Sequence, residues 1–211
     1  MKKAVLLDID GTILDAWGFV FNAVRHSLTT HGYPYPAEKN IKKAMGRPLI
    51  EFYELLLPET DPLILAKTHQ KFQEDNFHLV KSFPKAKKTL QNLKNSGFLV
   101  AAVSNRTRES LLRSLKVAEI FVYFDTVVGA DDVRNPKPHK EHLLVALNQL
   151  KVTPANAYMV GDTDQDIVAG KSAKVKTVGV TYGFLGPEIK KYNPDYLMDD
   201  IEELLEILKL V

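Results

Sequence analysis

Short apolar runs recur along the chain, and each is bounded by small or polar residues. The runs are rich in valine, leucine and alanine and cover residues 4–7, 98–103, 126–128, 157–160 and 177–180. Segments with helical periodicity lie between them, at residues 85–96, 108–115, 140–150 and 167–173. A continuous apolar run is typical of a strand buried on both faces, and its alternation with amphipathic helices predicts a parallel sheet between two helical layers.

The interval 16–82 departs from this alternation. It shows helical periodicity and no convincing strand, and prolines divide it at Pro34, Pro36, Pro48, Pro58 and Pro62. Prolines at such spacing are typical of helix starts and of the turns between helices. We therefore predict an all-helical insertion between the first and second strand–helix units, with the return to the sheet marked by Phe83-Pro84.

Composition narrows the class of protein further. The 211 residues are 45% apolar and 26% charged, with a net charge of +2 and no cysteine. The near-neutral balance gives no reason to expect a nucleic-acid partner, and disulfides or thiolate chemistry are excluded. The first apolar run is interrupted by Asp8 and Asp10, which argues against a signal peptide, and no run is long enough to span a membrane. A cytoplasmic setting is expected.

Polar residues follow the strands at the points where they end. Asp8, Asp10, Gly11 and Thr12 follow the first run, Ser104, Asn105 and Arg106 follow the second, Lys137 precedes a later helix, and Asp162 and Asp166 follow the run at 157–160. Because ligands bind beyond the carboxyl ends of parallel strands, these side chains are expected to meet at one edge of the sheet. Clustered carboxylates there suit Mg²⁺, and a lysine, a hydroxyl and turn amides suit a phosphoryl group.

These residues form four motifs in a recognisable order. D-x-D-G-T at residues 8–12, a serine after the second strand, a lysine before a later helix and G-D-T-x-x-D at 161–166 resemble the haloacid dehalogenase superfamily. The resemblance covers essentially the whole chain, and the segments VTYGF at 180–184 and PDYLMDDIEELLEIL near the end look like phosphoglycolate-phosphatase-like members. It implies a Rossmann-like three-layer core at 1–14 and 83–211 and a helical cap at 15–82.

The resemblance also implies a role for each residue. Asp8 would be the nucleophile that forms an aspartyl-phosphate, and Asp10 would act as general acid and then as general base. Asp8, Asp162 and the Asp10 carbonyl would hold Mg²⁺, with Asp166 a ligand or just outside the ligand shell. Ser104 and Lys137 would grip the phosphoryl group of a small phosphorylated metabolite, supported by Asn105 and by the Gly11–Thr12 turn. In the cap, Arg47 is a candidate substrate contact.

Other interpretations stay open at this point. The aspartates could serve as turn and helix-cap residues, and Asp164 is expected to be exposed and incidental. Within the superfamily, a phosphosugar mutase of the beta-phosphoglucomutase kind and an inorganic pyrophosphatase share this chemistry, whereas a dehalogenase needs neither Asp10 nor the Asp162–Asp166 pair. A phospho-accepting receiver domain would be shorter and would lack the insertion, and a non-catalytic interaction protein would not need intact motifs. The sequence departs from the family pattern at Ala16 and in KPHK at 137–140. Neither departure removes a catalytic group, so both bear on the choice of substrate more than on the chemistry. The oligomeric state is not predicted.

Overall fold

A six-stranded parallel sheet forms the centre of the molecule. The computed structural model describes residues 2–210. The strands of the sheet are β1 (Ala4–Leu7), β4 (Leu99–Val103), β5 (Thr126–Val128), β6 (Ala157–Gly161), β7 (Lys176–Val180) and β8 (Tyr196–Met198), in the order β5-β4-β1-β6-β7-β8. Two further strands, β2 (Leu14–Asp15) and β3 (Lys81–Ser82), form a separate antiparallel pair.

The helices fall into two groups. Four lie between β2 and β3, namely α1 (Trp17–Thr30), α2 (Glu38–Ala44), α3 (Leu49–Leu56) and α4 (Pro62–Asp75). The others come after β3, between or after the strands of the sheet: α5 (Ala86–Asn95), α6 (Arg108–Val117), α7 (Glu141–Leu150), α8 (Asp164–Ala173) and α9 (Glu203–Ile207).

Strand β1 shows why the apolar runs are continuous rather than alternating. Val5 and Leu7 pack in one buried cluster with residues of α5, α6 and α9, whereas Ala4 and Leu6 pack in a second cluster with residues of α7 and α8. Successive side chains of a strand point to opposite faces, so a strand covered by helices on both sides must be apolar throughout. The predicted three-layer α/β architecture with inserted helices is confirmed.

The inserted helices have a core of their own. Val24, Leu28, Ile41, Tyr53 and Leu65 are fully buried in a cluster that also takes in Phe184 from the sheet side. The chain leaves the sheet through β2 and returns through β3, and these strands pair with Leu14 opposite Ser82 and Asp15 opposite Lys81. The proposed division of the chain at residues 15 and 82 falls on this pair and stays a prediction.

Two details of the secondary structure were not expected from the sequence. The strand β3 lies inside the interval predicted to be free of strands, and β8 extends the sheet by one strand beyond the five apolar runs. Both are short, at two and three residues. Among residues 2–210, no helix has the length and apolar character required to cross a membrane.

Candidate active site

The turn after β1 carries the first acidic pair. Asp8 is buried, and its amide donates to the Val160 carbonyl at 2.9 Å, which ties the end of β1 to β6. Gly11 adopts a φ of +86°, and a Cβ built there would lie 2.3 Å from Asp162 Oδ2, so both the turn and the close approach require glycine. The Thr12 hydroxyl donates to Asp162 Oδ1 at 3.3 Å. The Thr12 hydroxyl therefore orients Asp162, and the support that the Gly11–Thr12 turn is expected to give a phosphoryl group stays a prediction.

The residues after β4 contact three different parts of the molecule. Ser104 is buried, and its hydroxyl accepts a hydrogen bond from the Arg106 amide at 3.3 Å. Asn105 donates through Nδ2 to the Lys137 carbonyl at 2.8 Å, and its Oδ1 accepts from the Lys137 amide at 3.0 Å. Asn105 thereby fixes the backbone of the lysine loop beside the end of β1, which agrees with a positioning role.

Lys137 lies at the centre of the acidic residues. Its ammonium donates to Asp8 Oδ1 at 2.6 Å, to Asp166 Oδ1 at 2.6 Å and to the Val103 carbonyl at 3.0 Å. Burial lowers the pKa of Lys137, but the Asp166 and Asp8 carboxylates outweigh that effect and raise the pKa above its usual value. The ammonium is therefore charged at neutral pH and holds two carboxylates in fixed positions.

Asp162 lies in the loop between β6 and α8, and Asp166 lies in the first turn of α8. Asp162 accepts a hydrogen bond from the Phe184 amide at 2.6 Å, within the VTYGF segment. Asp166 caps α8, because its Oδ2 accepts from the amide of Thr163 at 3.0 Å and from the hydroxyl of Thr163 at 2.7 Å. One carboxylate oxygen of Asp166 therefore caps the helix, as the helix-cap interpretation expects, and the other accepts a hydrogen bond from Lys137.

Three buried carboxylates lie close to this one ammonium, which bonds two of them. Asp8, Asp162 and Asp166 each place an oxygen within 4.8 Å of the others. Burial raises the pKa of Asp8 from its ordinary 3.8 to about 7, opposed by Lys137 and assisted by Asp166. Burial likewise raises the pKa of Asp162, and the charge of Asp8 adds to the rise. The cluster holds more negative charge than one lysine balances, and its all-oxygen donor set fits a hard divalent cation.

A cavity of about 820 Å³ lies between this edge of the sheet and the inserted helices. On the sheet side it is lined by Asp8, Asp10, Ser104, Asn105 and Arg106, and on the helical side by Gly46, Arg47, Phe52 and His69, among others. Its volume falls in the range typical of small-molecule sites. The predicted residues from the ends of β1 and β4 therefore face the same cavity as the candidate Arg47.

The loop between α2 and α3 closes one side of this cavity against the sheet. The Gly46 carbonyl accepts from Asn105 Nδ2 at 2.7 Å, and Arg47 Nη2 lies 3.6 Å from Asp164 Oδ2. Asp164, expected to be exposed and incidental, is instead partly buried in this contact. Gly46 has a φ of +82°, and a Cβ there would lie 2.6 Å from Thr163 Oγ1. The loop thus docks on the residues that hold the acidic cluster.

Sequence reasoning assigned no role to two buried histidines near the site. His142 accepts from the Lys137 amide at 3.2 Å through Nδ1 and bonds the Gly129 carbonyl at 2.8 Å through Nε2. Burial lowers its pKa from 6.5 to about 4. His69 bonds the Tyr53 hydroxyl at 2.9 Å, and burial lowers its pKa to about 3. Both are neutral near pH 7. The spacing of the histidines in the sequence does not indicate a zinc site.

Arg106 was noted only as a residue following β4. In the structure its guanidinium pairs with Asp10, with Nη1 lying 3.2 Å from Oδ1 and 3.4 Å from Oδ2. The side chain of Asp10 therefore pairs with Arg106 and is not part of the Asp8–Asp162–Asp166 cluster. The sequence predicts that only the backbone carbonyl of Asp10 joins the metal ligands. The contact with Arg106 leaves the Asp10 carboxylate outside the metal ligands, where the predicted role as general acid and base requires it.

Comparison with known proteins places this architecture in a family. A family model described as haloacid dehalogenase-like hydrolase matches residues 5–180. Pyrophosphatase PpaX of Bacillus velezensis is 32% identical over 205 residues, which cover 97% of this chain and 95% of that protein.

Solved structures share the fold over the full chain. A predicted phosphoglycolate phosphatase from Haemophilus somnus superposes with a TM-score of 0.90 at 23% identity, covering 98% of both chains. A protein from Thermotoga maritima, provisionally named beta-phosphoglucomutase, superposes with a TM-score of 0.76 at 27% identity, covering both chains completely.

Proposed function

The chain belongs to the haloacid dehalogenase-like hydrolase family, and on that premise we propose that it is a Mg²⁺-dependent phosphatase acting on a small phosphorylated metabolite. The enzyme class follows from the family. The observation that carries the finer assignment is the buried cluster of Asp8, Asp162, Asp166 and Lys137 beside a cavity that also contains Asp10.

Two carboxylates would divide the chemistry. Asp8 attacks phosphorus through an oxygen, and the bond from phosphorus to the leaving oxygen breaks as the aspartyl-phosphate forms. Asp10 gives a proton to that leaving oxygen and then removes a proton from the water that hydrolyses the intermediate. The different surroundings of the two side chains support this division, because Asp8 is held by Lys137 and Asp10 by Arg106.

The remaining residues would hold the reacting groups. Ser104 and Lys137 supply a donor and positive charge for the phosphoryl oxygens, and Asn105 keeps the lysine loop in place. The amides of the Gly11–Thr12 turn donate to the Leu14 and Ile9 carbonyls at 2.8 Å and 3.3 Å, which holds the turn in shape. Asp8, Asp162 and Asp166, with the Asp10 carbonyl, would hold Mg²⁺, which when bound supplies positive charge that lets an anionic carboxylate approach an anionic phosphoryl group.

The inserted helices, within residues 15–82, would act as a cap that selects the substrate and excludes water. Apolar side chains, Val20, Leu49 and Phe52 among them, line the cavity on the helical side. Such a wall suits an organic leaving group, and Arg47 is placed to contact an anionic part of it. The cytoplasmic setting and the lack of a nucleic-acid partner stay predictions.

Two alternatives within the family have specific support. The identity with PpaX over nearly the whole chain favours inorganic pyrophosphate as a substrate to test. The similarity to the Thermotoga maritima protein favours a test for isomerisation of a sugar phosphate. Because apolar side chains line the helical side of the cavity, hydrolysis of a phosphoester with an organic leaving group is the first candidate.

The test is a screen of pyrophosphate, phosphoglycolate, sugar phosphates and nucleoside monophosphates for phosphate release, with Mg²⁺ and with a chelator. We expect activity that requires Mg²⁺ and is abolished in Asp8→Asn, while Asp199→Asn, at an exposed aspartate outside the cluster, matches the wild type. Mg²⁺-dependent hydrolysis that survives in Asp8→Asn would contradict the proposal. Phosphorus NMR of the sugar-phosphate reactions separates hydrolysis from isomerisation.

A further inference from the structure

Arg106 lies where the proton-transfer step would occur. A single nitrogen of its guanidinium, Nη1, spans both oxygens of Asp10, at 3.2 Å and 3.4 Å. Both side chains are mostly buried, with 13% of the Arg106 side chain and 15% of the Asp10 side chain exposed. Both also line the cavity, so the contact is made at the surface that a substrate would meet.

The guanidinium is itself held in place from several sides. Its Nε and Nη2 donate to Ser110 Oγ at 3.2 Å and 2.6 Å. Its carbon lies 5.5 Å from the centre of the Phe19 ring and 5.8 Å from the centre of the Phe77 ring, within cation–π range. Each of the three nitrogens has a protein acceptor, which fixes the orientation of the guanidinium toward Asp10.

We propose that Arg106 is the residue that positions Asp10 for proton transfer, an inference that rests on the proposed phosphatase function. As the bond to the leaving oxygen breaks, Asp10 gives up its proton to that oxygen and becomes an anion. Arg106, one hydrogen bond away, balances the charge that forms on Asp10 and keeps the carboxyl group from turning away. Because a single nitrogen spans both oxygens, the outer side of either oxygen can carry the proton that passes to the leaving oxygen.

The proposal has a kinetic consequence that a purely structural role lacks. A substrate with a poor leaving group needs a proton from Asp10, whereas a leaving group that departs as a stable anion does not. The value of kcat/KM reports the step up to cleavage of the ester, so it isolates the acid role of Asp10 from its later role as base. A series of phenyl, para-nitrophenyl and dinitrophenyl phosphates varies leaving-group basicity at similar size.

The decisive variant is Arg106→Met, which keeps length and apolar contact with Phe19 and Phe77 but removes the charge. We expect its kcat/KM to fall about 10- to 100-fold for phenyl phosphate, which is part of the usual contribution of a general acid, and less than about threefold for dinitrophenyl phosphate. Arg106→Lys should recover part of the loss. Arg113→Met is the matched control, because Arg113 stacks on Phe77 at 4.3 Å and also lines the cavity. Its dependence on the leaving group should equal that of the wild type.

Equal losses across the whole series in Arg106→Met would overturn the proposal and indicate a role in binding. A dependence on the leaving group equal to that of the wild type would also overturn it. If Arg106→Met fails to fold, Ser110→Ala decides, because it removes two of the bonds that hold the guanidinium and should steepen the dependence in the same direction. A wild-type protein with no Asp8-dependent turnover of any ester would instead refute the proposed function itself.

Discussion

Replacement of Gly46 by alanine would test whether the loop between α2 and α3 must dock on the sheet side for catalysis. Gly46 has a φ of +82°, which an L-residue adopts at a cost of about 1–2 kcal/mol. The new methyl group would also lie 2.6 Å from Thr163 Oγ1 and 2.9 Å from Thr163 Cβ. Thr163 cannot easily yield, because its hydroxyl donates to Asp166 at 2.7 Å.

Gly32 provides a control with the same backbone strain. Its φ is +72°, and among the described residues no atom outside its immediate neighbours lies within 4 Å of the position a Cβ would take. Gly32→Ala therefore carries the strain without the clash, in the same helical segment. The difference between the two variants isolates the contact of the loop with Thr163.

The clash has the size of an overpacked contact, about 1–3 kcal/mol. If the loop docks fully only when the cap closes over the substrate, this cost is added to the activation barrier. At 1.36 kcal/mol for each factor of ten, kcat/KM of Gly46→Ala should fall about 5- to 150-fold below that of Gly32→Ala. Steady-state kinetics with the best substrate of the screen, together with thermal unfolding of both variants, measures this difference. Equal kcat/KM values for the two variants would refute the docking argument.

Three further predictions concern the charges and the folding of the site. Lys137→Met leaves Asp8 without its counter-ion, so the free energy of unfolding without metal should fall by about 3–5 kcal/mol. Urea denaturation in the presence of a chelator measures this change, and an unchanged free energy of unfolding would contradict the pairing. The pKa of His142 is lowered in the folded state, so the unfolded chain binds the extra proton and stability is lost as pH falls from about 6.5 towards 4. His142→Gln should remove up to about 1.4 kcal/mol per pH unit of that loss. The check is the denaturation midpoint at several pH values, and a midpoint that falls with pH as steeply in the variant as in the wild type would contradict this prediction. Asp162→Asn should reduce the rise in melting temperature that Mg²⁺ gives the wild type, and an undiminished rise would remove Asp162 from the metal ligands.

The sheet was predictable because its strands are buried on both faces. The runs at 4–7 and 126–128 coincide with β1 and β5, and the other three differ by one residue at an end. Strand β8 escaped prediction because it lies at the sheet edge, where Tyr196 and Leu197 are exposed and give no continuous apolar run. Two-residue strands such as β2 and β3 depend on a partner that is distant in the sequence, so no local pattern marks them.

The candidate site was predictable to the extent that it depends on strand ends. Parallel strands deliver Asp8, Ser104 and Asp162 to one edge of the sheet whatever the loops do. The pairing of Arg106 with Asp10 depends instead on side-chain conformation and on the hydroxyl of Ser110, which lies four residues further on, in the first turn of α6. An arginine four residues before a serine is an ordinary helix pattern, and nothing in it indicates which carboxylate the guanidinium meets.

The pairing of β2 with β3 brings together the two points at which the helical segment leaves and rejoins the rest of the chain. Since Leu14 lies opposite Ser82, the chain leaves and rejoins the sheet at neighbouring points of one antiparallel ladder. Partners across such a ladder lie about 5 Å apart, a gap that a tight turn can close. An insertion attached in this way can be lost, lengthened or exchanged between genes without altering the order of the six parallel strands. The acidic cluster and the helices above it can therefore change at different rates during evolution.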